Sequence, residues 1–293
     1  MSDAKPQEPF LIRPAEFSPV PEPVFLPPPR PRPQRVWLHL LLFLLTVAST
    51  VLVGGWMFSA GLLSILLAHE FGHYFAAKWH RVPASLPYFI PFPFSLFGTL
   101  GAFIRMSPWI PNRRALFDIA AAGPLAGLVL ALPLSYLGIS FSRIVPTRSL
   151  PEHVVSLGEP FLFQFLGWLA HGSIGQDMDT LLHPLAFAGW AGMFVTALNL
   201  LPIGQLDGGH ISHALFGTRS RLVAQSMFGG LAVYSVVRQN FTWLPLLVFL
   251  LLLGVRHPSS MDDDYPLGRA RQALGVLLAA VFILCFSLVP IKI

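Results

Sequence analysis

The sequence predicts an all-α polytopic membrane protein of about six to seven transmembrane helices with a small membrane-embedded β insert. Three observations lead there. Of the 293 residues, 54% are hydrophobic and 11% charged, and the mean hydropathy is +0.64, whereas a soluble domain carries about a quarter charged residues. Apolar runs close to the ~20 residues that cross a bilayer recur from residue 36 to the C-terminus. They make 36–293 one integral-membrane domain with no room between them for a second, soluble one. Residues 82–107 break the pattern: their apolar stretch PASLPYFIPFPFSLFGTLGAFIRM carries four prolines and two glycines, which forbids a regular helix and favours extended structure.

Taken in order, residues 1–35 hold four acidic residues and a proline series ending in Pro27, Pro28, Pro29, Pro31 and Pro33, the composition of a disordered Pro-rich tail. The tail lacks the apolar core and cleavage site of a secretory signal. Arg30, Arg32 and Arg35, directly before the first span, predict that it stays in the cytoplasm. Spans are expected near 36–56, 58–79, 115–139, 184–203, 222–237, 242–255 and 272–290. With the tail inside, fifteen of the nineteen Lys and Arg residues fall on the cytoplasmic side and Arg143, Arg148, Arg238 and Lys292 on the other. This is the asymmetry of the positive-inside rule, and the expected location is a cell (inner or plasma) membrane.

The insert at 82–107 is expected to fold back against the helices, because lipid cannot satisfy its amides. The apolar piece at 161–170 is too short to span and is expected at the interface. Cys285 is the single cysteine, so neither a disulfide framework nor a cysteine-based metal site is available. The net charge of +5 does not indicate nucleic-acid binding, because the basic residues lie between apolar runs instead of on one amphipathic face.

The chemistry concentrates in the second expected span, which reads Ala68-His69-Glu70-Phe71-Gly72-His73. Two histidines four residues apart share a helix face and can share one metal ion. In the HExxH pattern the glutamate lies beside the water at the metal and can act as general base. Packing histidines are the bland alternative. Against it stands the cost of about 2–3 kcal/mol for each charged group at mid-membrane depth, which calls for a functional partner.

A catalytic zinc takes three protein ligands and leaves one position open. The conspicuous third candidate is Asp207, in NLLPIGQLDGGH directly after the fourth apolar run, which the topology returns to the inner end of the second span. Gly208 and Gly209 let the backbone approach closely, and Pro202 frees carbonyls. His210 and His213 are competing ligands. Asp118 is expected at a helix N-terminus beside Arg113 and Arg114, and His153, His171 and His183 on the far face.

HEFGH in one span and NLLPIGQLDGG at the end of a later one resemble the paired motifs of the site-2 protease family of intramembrane zinc metalloproteases, over a catalytic core of about 55–215. The resemblance implies one zinc ion held by His69, His73 and Asp207, with Glu70 as catalytic acid-base. It implies for Asn199 a hold on the substrate or the developing oxyanion, where the residues alone allow equally a helix–helix hydrogen bond. Ala120-Ala121-Ala122-Gly123-Pro124-Leu125-Ala126-Gly127 resembles the family's small-residue stretch, read here as helix packing through Gly123 and Gly127. Residues 97–104 resemble its membrane-embedded β segment, which would pair with an unwound transmembrane protein substrate by strand addition.

The expected activity is therefore hydrolysis of peptide bonds in or near transmembrane segments. The rival from another class is a metal transporter or non-catalytic metal-binding membrane protein. A transporter has no need of a glutamate at the general-base position, and the chain shows none of the internal repeats of transport folds.

Overall fold

The computed structural model describes residues 35–149, 156–175, 177–253 and 265–292, and these are mostly helical. The tail expected at 1–35 lies, but for Arg35, outside the described residues. Among the described residues two helices are long and apolar enough to cross a membrane by length and composition: α1 (Val36–Trp79) and α2 (Arg113–Ser140). The first is not one rod. Gly55 has φ 77 and ψ 174, outside helical space, and Thr50 Oγ1 lies 2.7 Å from Ser59 Oγ. Nine residues of unbroken helix would separate them by about 13 Å along the axis. The chain therefore doubles back at Gly55, at the end of the first expected apolar run.

The Pro-rich insert lies along the first half of α1. Its strands β1 (Tyr88–Pro91) and β2 (Thr99–Phe103) pair antiparallel, with Tyr88 opposite Phe103 and Phe89 opposite Ala102. At one end His39 Nδ1 donates to the Pro87 carbonyl at 3.1 Å, and Phe43 meets Phe89 edge-on. At the other end Ser49 Oγ donates to the Gly98 carbonyl at 2.5 Å. The second half of α1 packs instead on α2, whose N-terminus is capped by the Asn112 side chain accepting from Ala115 N–H at 3.0 Å. These pairings orient the two halves of α1 differently: one carries the hairpin, the other faces the helical core.

Beyond α2, β3 (Arg143–Pro146) and β4 (Ser156–Leu157) precede α3 (Phe161–His171), and β5 (Met178–Leu181) pairs back on β3. The expected interfacial piece is thus a helix, with Phe163 and Leu166 buried while Phe161, Phe165, Trp168 and Leu169 are exposed. Helix α4 (Pro184–Asn199) starts with proline at its first position and His183 as cap, and packs on both α1 and α2. Trp190, fully buried, stacks on Phe194 at 5.5 Å and donates from its indole to the Gly158 carbonyl at 2.8 Å.

The fourth apolar run, expected to reach 203, stops as helix at Asn199. Pro202 has no N–H to extend it and Gly204 takes φ +56. A helix not anticipated in the sequence, α5 (Asp207–Phe216), follows the turn. The chain continues through α6 (Ser220–Val237), α7 (Leu244–Leu253) and α8 (Arg269–Cys285) to β6 (Ile291–Lys292), which pairs with β4. Helix α8 ends short of the expected residue 290, and Trp243 holds the following segment by donating to the Leu288 carbonyl at 2.8 Å.

Gly98 is the tightest point of the hairpin. It has φ +71, and an added Cβ would stand 2.7 Å from the Ser49 carbonyl oxygen. Gly98→Ala is expected to cost about 1–3 kcal/mol, read as a lower thermal midpoint in detergent. Gly101→Ala, at φ +97 but facing open space, should cost only the backbone share of about 1–2 kcal/mol.

Candidate metal centre

The second half of α1 brings His69, Glu70 and His73 into the interior, each 3–5% exposed. The two imidazoles, four residues apart, meet edge to face, with their Nε2 atoms 3.1 Å apart. His73 Nδ1 donates to the Ile119 carbonyl of α2 at 2.8 Å. That bond places the ring proton on Nδ1 and leaves the Nε2 lone pair directed into the site, the way a metal-binding histidine is oriented by its outer partner. Asp207, the first residue of α5, closes the triangle: its Oδ2 lies 3.3 Å from His69 Nε2 and 3.2 Å from His73 Nε2.

This donor set fits a zinc ion. Ligand bonds of about 2.0–2.1 Å in a tetrahedron put the ligand atoms about 3.3–3.4 Å apart, and the three edges here measure 3.1, 3.2 and 3.3 Å. A single proton can bridge two of these atoms but not all three. Two imidazoles and one carboxylate also leave the fourth tetrahedral position free of protein.

Glu70 follows His69 on the same helix and stands within electrostatic reach of His69, His73 and Asp207. The Asn199 side chain, at the last residue of α4, donates from Nδ2 to His69 Nε2 at 3.0 Å. Its amide thus lies at the edge of the donor triangle. The turn between α4 and α5 carries both Asn199 and Asp207 to the site, and it is tight: a Cβ at Gly208 would stand 2.0 Å from the Leu200 carbonyl oxygen, and one at Gly209 2.4 Å from that of Gly204. Both glycines lie within the first turn of α5, so what they permit is close approach of that turn to the preceding carbonyls.

The other ionisable residues singled out in the sequence do not join this group of ligand atoms, although His210 stands within electrostatic reach of Asp207 and His73. Among the described residues, His69, His73 and Asp207 are the group whose ligand atoms converge, all within 4.8 Å. His210 and His213 are not in it. His213 is buried with its Nδ1 3.4 Å from Ser220 Oγ, and His171 donates to the Ile139 carbonyl at 2.7 Å. His183 caps α4, and His153 lies outside the described residues.

Asp118 does not pair with Arg113 and Arg114 as expected. Both its oxygens accept from Arg271 of α8 at 2.7 Å, and one accepts also from His80 Nε2 at 2.9 Å. Arg113 turns to the carbonyls of Ala214 and Leu215 at the end of α5. Arg114 donates to the Pro266 carbonyl at 2.6 Å and lies over the Tyr265 ring. Neither the Ile119 carbonyl nor Arg271 was legible as part of this end of the molecule: a backbone oxygen carries no residue-type signal, and Arg271 is 153 positions from its partner.

Residues 57–237 match the model of Peptidase family M50. The chain is 34% identical over 244 residues to a protein of Oryza sativa subsp. japonica described as "Probable zinc metalloprotease EGY1, chloroplastic", covering 79% of this chain and 40% of that one. The Arabidopsis thaliana protein of the same description is 32% identical, with 79% and 42% covered. Another from Arabidopsis thaliana, "Probable zinc metalloprotease EGY2, chloroplastic", is 33% identical over 194 residues, with 64% and 34% covered. The chain thus spans about two fifths of the length of the first two relatives. The matched stretch contains both histidines, the glutamate and the aspartate of the converging site, and the chain belongs to peptidase family M50, the site-2 protease family.

Proposed function

We propose that this protein is a zinc-dependent intramembrane endopeptidase that hydrolyses peptide bonds in or near the transmembrane segments of membrane-protein substrates. The observation that carries the reading is the buried triangle of His69 Nε2, His73 Nε2 and Asp207 Oδ2, with edges of 3.1–3.3 Å and a glutamate beside it. His69, His73 and Asp207 would hold one zinc ion, an assignment that membership of the family supports. Zinc, when bound, supplies Lewis acidity for activating water and polarising the scissile carbonyl. Glu70 takes the proton from the attacking water and delivers it to the leaving amine. Asn199 turns its amide donors from His69 to the substrate carbonyl oxygen as charge develops there.

A transmembrane substrate is helical, and its amides must find new partners when it unwinds at the site. Among the described residues β2 pairs with β1 alone, so its other edge offers main-chain groups, and Leu100 on it is 62% exposed. Strand addition along β2 would hold the unwound segment. We take the hairpin to be embedded in the bilayer, beside six to seven spans formed by the two halves of α1, by α2, by α4 and by α6, α7 and α8. Bilayer lipid and a transmembrane protein are the partners of this reading. We read the N-terminal tail as cytoplasmic and the membrane as a cell membrane, on the asymmetry of the basic residues along the sequence.

Two measurements test this. Purified wild type and Glu70→Gln, incubated in detergent with a panel of single-span substrates, should hold the same one equivalent of zinc while the variant cleaves about 10²–10⁴-fold more slowly. Equal cleavage by the two removes Glu70 from the chemistry. For topology, the single natural cysteine, Cys285, is fully buried, which leaves a low background for labelling. Cysteines introduced at Ser107 and at Arg148 should react with a membrane-impermeant maleimide from opposite sides of sealed vesicles. Reaction of both from one side overturns the orientation and the span count.

A further inference from the structure

The small-residue stretch Ala120–Gly127 lies in α2 and suits close packing between helices. Its position against α1 is more specific. An added Cβ at Gly123 would lie 2.1 Å from His73 Nε2, 2.4 Å from its Cε1 and 2.5 Å from its Cδ2. The volume a side chain would fill at position 123 is therefore occupied by the ligand end of the His73 ring. One turn earlier on the same helix, the Ile119 carbonyl accepts from the Nδ1 end of that ring at 2.8 Å.

The neighbouring small residues make this approach possible. A Cβ at Gly72, on α1, would stand 2.5 Å from the Ala122 carbonyl oxygen, so the backbones there are nearly in contact. A Cβ at Gly127 would stand 3.3 Å from His69 Cβ, a contact that a small adjustment relieves. Gly123 differs from both: the atoms it would strike are the ligand nitrogen and its flanking carbons.

We infer that Gly123 is a positioning residue for the metal centre: its missing side chain is the space in which His73 reaches the donor triangle, with the Ile119 carbonyl fixing the other edge of the ring. A methyl group at 123 cannot coexist with the observed ring position. The ring must swing off Nε2 alignment, tear its bond to Ile119, or push α2 away from α1. The first displaces a ligand atom whose spacing already matches the tetrahedral edge, and the other two take away the Ile119 carbonyl that fixes the ring. The inference rests on the proposed metal reading for its consequence, and on side-chain geometry alone for its mechanism.

The test compares Gly123→Ala with Gly138→Ala, both on α2. A Cβ at Gly138 would stand 2.1 Å from Ala186 N, an equally severe clash far along the helix from the histidines. Zinc affinity, measured by competition with a chromophoric chelator, should weaken about 10–100-fold in Gly123→Ala, the range seen when the outer support of a ligand is lost. The visible spectrum of the cobalt-substituted protein should change. Gly138→Ala should lower the thermal midpoint with zinc affinity and cobalt spectrum unaltered. Gly123→Ala is then placed in a His73→Ala background and the midpoints of the metal-free proteins are compared.

If the ring is what the methyl meets, the substitution lowers the midpoint in wild type and leaves it nearly unchanged in the His73→Ala chain, a non-additivity expected of side chains in contact. That comparison needs neither zinc nor activity and holds if Gly123→Ala is too unstable to load metal. Wild-type zinc affinity in Gly123→Ala, parallel zinc loss in Gly138→Ala, or an equal midpoint drop in both backgrounds overturns the inference. Absence of zinc from the wild type overturns the metal reading instead and leaves the steric coupling to be judged on the midpoints.

Discussion

His69 Nε2, His73 Nε2 and an Asp207 oxygen face one another at 3.1–3.3 Å, the histidines buried and the aspartate side chain 16% exposed. Electron-pair donors so arranged repel unless positive charge lies among them, and the low dielectric of a protein interior strengthens that requirement. An uncompensated buried carboxylate costs several kcal/mol. Under the proposed function a metal cation meets that requirement, and the surrounding helices act as the frame that keeps the three donor atoms from relaxing apart.

That frame is assembled from elements distant in sequence. Helix α1 supplies two donors and the glutamate, and α2 supplies the carbonyl that orients one histidine. The α4–α5 turn supplies the third donor together with Asn199. Each contact depends on close backbone approach. At Gly72, Gly208 and Gly209 an added Cβ would fall 2.0–2.5 Å from a main-chain oxygen. Close approach of this kind suits helices within lipid, where packing and not the expulsion of water drives association.

The reversal at Gly55 has a second consequence. It lets one long apolar helix present two different surfaces, the earlier half to the β hairpin through His39, Phe43 and Ser49, the later half to α2 and the donor triangle. The hairpin and the centre thus share one continuous support. Helix α8, outside the stretch matched to the family, is tied to the same end of the bundle by Arg271, whose guanidinium engages both oxygens of Asp118. The charge-assisted, two-pronged geometry makes this a stronger tether than an exposed ion pair.

The features legible along the chain were local. Apolar composition, the proline-dense insert and the break between the first two apolar runs are properties of consecutive residues. So is the placing of His69 and His73 on one face, since four residues make about one helical turn. Asp207 came into view as an acid beside a glycine pair, and from the resemblance of its motif. The tertiary structure alone decided which atoms meet. Asn199 reaches His69 across 130 positions and Asp118 finds Arg271 across 153, where the nearer Arg113 and Arg114 had been expected. The start of α5 at Asp207, the Ile119 carbonyl behind His73 and the vacancy at Gly123 were invisible for the same reason. Periodicity along the chain encodes which face a residue occupies, whereas the partner across that face is set by how the helices pack, a choice that no run of neighbouring residues records.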